Sequence, residues 1–367
     1  MSDVPLAAPA LGVDERERLV EVLESGALAS GDVVADFETE FADYVGTEEA
    51  VATANGTTAL QVALDAVGVG PGSVVVTTPF SFVATANAIR FAGGIPVFAD
   101  VDPETYNLDP ERVADRVEVL GDQVDAILAV HLYGLPAEMD RLREVADAYD
   151  VPLVEDAAQA HGATYDGDRV GSIGDAAAFS FYPTKNMTTG EGGMVTTDRE
   201  DVAATVRRFI DHGRSDDDGY DHVELGHNFR MTNLAAAIGR AQLQKLPGFL
   251  AARRANARRL TDQLADTSVV TPVEPADCRH AYNQYTVRTD DRDRLRSDLE
   301  SRGVETGVYY PTPIPHLGAY DERDPSVPTA ERLAEEVVSL PVHPGLDDAD
   351  VDRVADAVAS SGVITRV

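Results

Sequence analysis

The sequence predicts an α/β protein: a mainly parallel sheet in a large domain over 1–245, then a smaller α+β domain over 246–367. Three observations carry this expectation. Short apolar strand candidates alternate with helical segments between residues 50 and 197. Strands of that kind suit a sheet covered by helices on both faces. Beyond about residue 245 the pattern changes character, and from Pro272 it mixes strand and helix signals without the earlier alternation.

In order, 14–25 and 35–45 read as amphipathic helices separated by Ser30-Gly31. A strand is expected at 51–54, and Asn55-Gly56 opens a helix over 57–67. Strand 74–77, helix 84–91 and strands 95–99 and 126–130 follow, then helix 141–149. Strand 151–154 ends in Glu155-Asp156, and strands 176–181 and 194–197 complete seven. A long helix over 233–264 should be interrupted at Pro247-Gly248. Its arginines Arg253, Arg254, Arg258 and Arg259 read as a solvated face. Strands at 283–288 and 304–309 and helices at 329–339 and 348–359 make up the smaller domain. There is no internal repeat and no low-complexity segment.

The 64 acidic and 30 basic residues give a formal net charge of -34. Such repulsion opposes compaction in dilute buffer and is screened at high salt, so the composition reads as adaptation to concentrated salt. The acids are spread along the chain and form no tail for a basic partner. An acidic chain lacks the basic footprint that nucleic-acid binding needs. The 44% hydrophobic content supports a large core. A single cysteine, Cys278, gives neither an intrachain disulfide nor a cysteine zinc cluster, and no metal is expected. Met1-Ser2-Asp3-Val4-Pro5 starts no secretory signal, and no stretch approaches the roughly 20 apolar residues of a membrane span. A soluble, cytoplasmic protein is expected.

Lys185 and Lys245 are the only lysines. A lysine kept in such a chain is a candidate for work that needs a primary amine, above all an imine with an aldehyde cofactor. Arginine stays protonated and cannot do this. Lys185 lies in Phe179-Ser180-Phe181-Tyr182-Pro183-Thr184-Lys185-Asn186, which leads into Gly190-Glu191-Gly192-Gly193. Lys245 sits in a helix and reads as a surface or packing residue.

Asp156 stands at a strand's carboxyl end, where ligands of such sheets sit. It can keep a pyridine nitrogen protonated, or merely cap a helix. Asn55-Gly56-Thr57-Thr58 joins a strand to a helix N-terminus whose free N–H groups suit a phosphate; ordinary Asn capping explains it equally well. Ser180 offers a second hydroxyl, or is a buried strand serine. Phe82, with Phe80 as competitor, offers an aromatic plate or belongs to the core. Amine, carboxylate, phosphate donors and plate are what pyridoxal phosphate (PLP) demands, and all occur together here.

These residues resemble the DegT/StrS family of PLP-dependent sugar aminotransferases, of the fold type I (aspartate aminotransferase-like) architecture. The resemblance spans nearly the whole chain. It runs from Gly26-Ala27-Leu28-Ala29-Ser30-Gly31 through Asn55-Gly56-Thr57-Thr58-Ala59-Leu60 and Pro79 to Ala88. It continues through Glu155-Asp156-Ala157-Ala158-Gln159-Ala160-His161-Gly162, the lysine segment and Gly226-His227-Asn228-Phe229-Arg230-Met231-Thr232. It ends at Tyr309-Tyr310-Pro311 and Pro315-His316. The acidic-Gln-His and Ser-to-Lys segments are its most specific parts.

The resemblance implies a seven-stranded sheet and a role for each matching residue. Lys185 would carry the imine and shuttle the proton. Asp156 would pair with the ring nitrogen and Gln159 with the ring's 3-oxygen. Gly56, Thr57 and Ser180 would hold the phosphate, and Phe82 would stack on the ring. Asn228 would reach the phosphate of the neighbouring subunit, which implies a homodimer with shared sites. His316 and Tyr310 match a region lining the sugar pocket. Asn55 departs from the small residue often found there. The implied activity moves an amine, from glutamate as usual donor, to a nucleotide-linked keto-sugar for amino-sugar, surface-polysaccharide or glycan synthesis. A sugar dehydratase or deoxygenase, or a non-catalytic regulatory relative, is the alternative. Lys185 counts against the dehydratase, whose close relatives carry His in its place.

Overall fold

A computed structural model describes residues 3–215, 220–320 and 326–362. Helices α1 (Val13–Ser25) and α2 (Asp32–Val45) come first, followed by β1 (Glu49–Thr53) and α3 (Gly56–Ala66). Then alternate β2 (Val74–Thr77), α4 (Ala84–Phe91), β3 (Ile95–Phe98), α5 (Pro110–Leu120), β4 (Val124–Val130), α6 (Met139–Ala148) and β5 (Leu153–Asp156). A small hairpin, β6 (Thr164–Tyr165) and β7 (Asp168–Arg169), precedes β8 (Ala176–Ser180), β9 (Gly193–Thr197) and α7 (Glu200–Ile210). The chain continues through α8 (Asn233–Leu264), β10 (Cys278–Arg279), β11 (Tyr285–Arg288), α9 (Arg292–Ser301), α10 (Pro328–Glu336), β12 (Val337–Leu340) and α11 (Asp348–Ala359).

Seven strands form one sheet in the order β1-β9-β8-β5-β4-β2-β3. β9 runs antiparallel to β1 and β8, while the other pairings in the sheet are parallel. Successive strand residues feed opposite cores: Ala176 and Ala178 pack among residues of α3, α4 and α7, while Ala177 packs with α2 and α8. Burial on both faces is why these strands read as continuous apolar runs. A further core gathers Ala257, Leu260 and Leu264 of α8 with β11, β12, α9 and α11. The carboxyl ends of β4, β5 and β8 put His131, Asp156 and Ser180 on one edge of the sheet.

The structure corrects the sequence reading in three places. α8 is one helix, with Pro247 inside it. α1 and α2 pack against it on one side of that proline and α11 on the other, and this packing outweighs one missing donor. Residues 304–309 form no strand; Val304 bridges Val4 and Gly307 bridges Ser339 singly. The partner of β11 is β12, which takes over the end of the segment expected as helix 329–339. Val337 to Leu340 are all buried, and a short apolar run at a helix end carries no period to mark the switch.

Candidate active site

The site is built where β1, β5 and β8 end. After β1, Asn55 caps α3: its side chain accepts from Thr58 N (2.9 Å), and Thr58 Oγ1 receives Asn55 N (3.2 Å). That capping box satisfies Asn55 and Thr58 and leaves Gly56 N and Thr57 N free of partners among the described residues. Gly56 lies against the end of β8. A Cβ at that position would sit 2.6 Å from Ser180 Cβ and 3.0 Å from its Oγ, so only glycine lets the helix start approach Ser180.

Asp156 closes β5 and is buried. Its Oδ2 accepts from Thr85 Oγ1 (2.9 Å) and its Oδ1 from Ala158 N (3.2 Å). Burial raises its pKa, while the Thr85 and Ala158 bonds and the Lys185 charge pull the other way. It has no cationic hydrogen-bond partner among the described residues, so one face of the carboxylate is suited to a positive nitrogen.

Glu155, one residue earlier, points to the opposite face. It takes Nε2 of His131 (3.0 Å) and the backbone N–H groups of Gly171, Ile173 and Gly174. Ala137 N donates to His131 Nδ1, which places the ring proton on Nε2 facing Glu155. Burial of Glu155 is outweighed by these bonds, and its pKa falls. His131 N donates to the Asp156 carbonyl, so this pair also fixes the end of β5.

Lys185 follows β8 in a turn closed by its own N–H to Tyr182 O (2.9 Å). Its Nζ has no hydrogen-bond or ion-pair partner among the described residues. Desolvation lowers its pKa to about 8, against the opposing pull of Asp156. Behind it, His161 packs between Phe179 and Phe181, and neither ring nitrogen makes a well-formed hydrogen bond. Burial first, then the charge of Lys185, pushes the His161 pKa down to about 3, so the ring adds no second charge beside the amine.

Gln159 is held at both ends: Tyr133 N donates to its Oε1 (2.8 Å), and its Nε2 donates to Tyr310 Oη (3.3 Å). Tyr133 Oη donates in turn to the Tyr309 carbonyl. The ring of Tyr310 lies 6.0 Å from that of Phe82, and Asp156 adds to the burial that raises the Tyr310 pKa. Phe82 is 55% exposed while Phe80 is fully buried, so Phe80 belongs to the core and only Phe82 presents a ring face to the site.

Gly56, Thr57, Phe82, Asp156, Gln159, Ser180, Lys185 and Tyr310 thus gather around one edge of the sheet. Among the described residues, the side chains of Asn228 and His316 make no hydrogen bond or ring contact with this group. Asn228 is exposed, and its backbone pairs with Asp211. His316 is exposed, with Nε2 2.9 Å from Glu331 Oε1. Lys245 is structural: its amine binds both oxygens of Glu15 at 2.8 Å and Asp14 at 2.9 Å, tying α8 to α1. Burial opposes ionisation of Glu15, but the Lys245 and Gln242 bonds prevail and hold its pKa at about 2. Sequence reasoning missed Thr85, Tyr133 and His131. Thr85 had a signal, since it lies one helical turn beyond Phe82; the other two are hydrophobic-run neighbours with no motif of their own. Among the described residues no His, Cys, Asp or Glu group could hold a metal.

Known proteins resemble this chain over nearly its whole length. A relative from Caulobacter vibrioides named GDP-perosamine synthase is 39% identical, covering 98% of this chain and 99% of its own. The UDP-2-acetamido-2-deoxy-3-oxo-D-glucuronate aminotransferase of Pseudomonas aeruginosa is 36% identical over 92% of this chain and 93% of its own. The crystal structure of S. venezuelae DesV in complex with a ketimine intermediate superposes with a TM-score of 0.93, at 38% identity and 98% coverage of each chain. Residues 9–359 match the DegT/DnrJ/EryC1/StrS aminotransferase family, and the chain belongs to that family.

Proposed function

We propose that this protein is a PLP-dependent aminotransferase that moves an amino group, from glutamate as donor, to a keto-sugar carried on a nucleoside diphosphate. The observation that carries the reading is a Lys185 amine with no hydrogen-bond partner among the described residues, in the field of a buried Asp156 that has no cationic hydrogen-bond partner among them. Bound PLP supplies an aldehyde that captures amines and a ring that withdraws electrons from the adjacent carbon. Asp156, aimed by Thr85, would hold a proton on the ring nitrogen. Gly56 N, Thr57 N and the Ser180 hydroxyl would hold the phosphate, Gln159 the ring oxygen, and Phe82 would cover the ring. Lys185 Nζ would supply the anchoring amine and carry the proton between carbons. With a pKa of about 8 it is roughly a tenth neutral at pH 7, where an ordinary lysine is neutral in only about one molecule in three thousand.

The named relatives act on GDP- and UDP-linked sugars, so nucleotide preference is an experimental question. Purified in high salt, the protein should absorb in the visible, and glutamate should bleach that band. Lys185→Ala should form no imine reducible by borohydride. A wild type that never binds PLP, or a reducible imine in Lys185→Ala, overturns the assignment. Product masses from a panel of GDP-, UDP- and dTDP-keto-sugars then identify the acceptor.

On this reading the molecule is a cytoplasmic homodimer, with Asn228 serving the partner's site and Tyr310 and His316 the sugar pocket. The exposure of Asn228 beside exposed Val223 and Leu225 supports it. The division into 1–245 and 246–367 remains part of the proposal; α8 crosses it, with one half in each core. Sharing has a direct test. Lys185→Ala and Asn228→Ala chains, inactive alone, should regain up to about a quarter of wild-type activity when refolded together. No recovery in a verified mixed dimer means that each chain holds its whole site.

A further inference from the structure

Arg253 of α8, expected on a solvated face, is instead only 6% exposed and has no carboxylate partner among the described residues. Its neighbour Arg254 does, binding Glu274 at 2.5 Å. Burial alone pulls the Arg253 pKa down to about 10. A buried charge without a counter-ion is costly, and an apolar side chain of the same size would fill the space more cheaply. What a guanidinium adds is a rigid donor for adjacent acceptors. Arg253 Nη1 donates to two successive carbonyls, Tyr282 O (3.0 Å) and Asn283 O (3.2 Å). Tyr282 stands at φ 44°, a left-handed conformation that a tyrosine adopts only when its surroundings impose it.

The turn so clamped touches both sides of the site. Ala281 O accepts from Asn186 Nδ2 (3.0 Å), the residue after Lys185. Ala281 N donates to Gly134 O (2.8 Å) and Gln284 N to Tyr133 O (3.2 Å). Tyr133 N is the donor that fixes Gln159 Oε1. We propose that Arg253 is a positioning residue for the reaction: through the 281–284 turn it sets the lysine loop by way of Asn186 and the Gln159 amide by way of Tyr133. This rests on the PLP reading of the site.

The test compares wild type, Arg253→Met and Arg253→Lys, with two readouts. One is PLP affinity by absorbance titration of the apo-enzyme. The other is the pH midpoint for acylation of Lys185 in the apo-enzyme, read by peptide mass. Lys245 is the only other lysine and serves as internal reference. Arg253→Met should weaken PLP binding by at least about tenfold and move the Lys185 midpoint up towards that of an ordinary lysine. Arg253→Lys, whose ammonium can still reach carbonyls, should recover most of both.

Should Arg253→Met fail to fold, Asn186→Ala cuts the same link from the lysine side, leaves α8 intact, and must shift both readouts. A folded Arg253→Met or Asn186→Ala with wild-type affinity and wild-type Lys185 midpoint overturns the proposal. A wild type that does not bind PLP instead overturns the functional reading, and the Lys185 midpoints still decide whether Arg253 positions that amine.

Discussion

Two residues show how closely this site trades stability for chemistry. Gly56 has no room for a methyl group, since Ser180 blocks it, whereas Gly70 has nothing within 4 Å of an added Cβ. Gly56→Ala should therefore push α3 away from Ser180, cost about 1–3 kcal/mol, and weaken PLP binding. Gly70→Ala should change neither. Denaturant unfolding and a cofactor titration check both, and wild-type affinity in Gly56→Ala would remove that helix start from the phosphate site. Lys185 is the second case. Its folded pKa lies below the unfolded 10.5, so between about 8 and that value the unfolded state binds more protons, and stability rises with pH. Below about 8 the full cost of burying the ammonium is felt. Lys185→Met should stabilise the apo-enzyme near pH 7 by on the order of 3 kcal/mol, and the rise between pH 8 and 10 should vanish. An equal or less stable variant would mean that the amine is not desolvated.

At the scale of elements, α10 begins without a cap of its own: Val327 stands at the N-cap and Pro328 opens the helix. The cap comes from Asp100, just after β3, whose Oδ2 accepts from Thr329 N (2.8 Å) and whose Oδ1 accepts from Ala330 N (3.0 Å). Asp100→Ala should cost about 1–2 kcal/mol by denaturant unfolding, and Asp100→Asn, which keeps one acceptor and turns a donor toward the other N–H, should recover only part of it. Such a cap, reaching across 229 residues of sequence, leaves no local signal. The same holds for Tyr133 on Gln159, while Thr85 on Asp156 left only its place one turn beyond Phe82; such supporting groups escaped the sequence while the groups they support did not. Lys185, Asp156 and Ser180 were legible because their chemistry is rare and because each follows an apolar strand whose end the pattern marks. β12 was illegible for the opposite reason: three apolar residues and a serine after a helix fit either period, and only pairing with β11 decides between them.

Over the whole molecule two electrostatic effects compete. Arginine pairs tie elements together: Arg240 joins Asp36 and Glu40 of α2, Arg259 joins Asp348 and Asp352 at α11, and Arg207 joins Glu49 of β1. These pairs are partly exposed, contribute at most about 1 kcal/mol each, and weaken as salt is added. Against them stands a net charge of -34, whose mutual repulsion also fades with salt. The acids outnumber the bases by more than two to one, so most carboxylates have no cation to lose, and screening relieves more repulsion than attraction. The thermal midpoint should therefore climb as KCl rises from about 0.1 M to about 2 M, most steeply at the low end, where the Debye length shrinks from about 10 Å. Replacing several unpaired surface acids with their amides should raise the midpoint at low salt and flatten the curve. A midpoint that falls with KCl, or amide variants that keep the wild-type salt slope, would show that the pairs govern stability and that the acid excess is not an adaptation to salt.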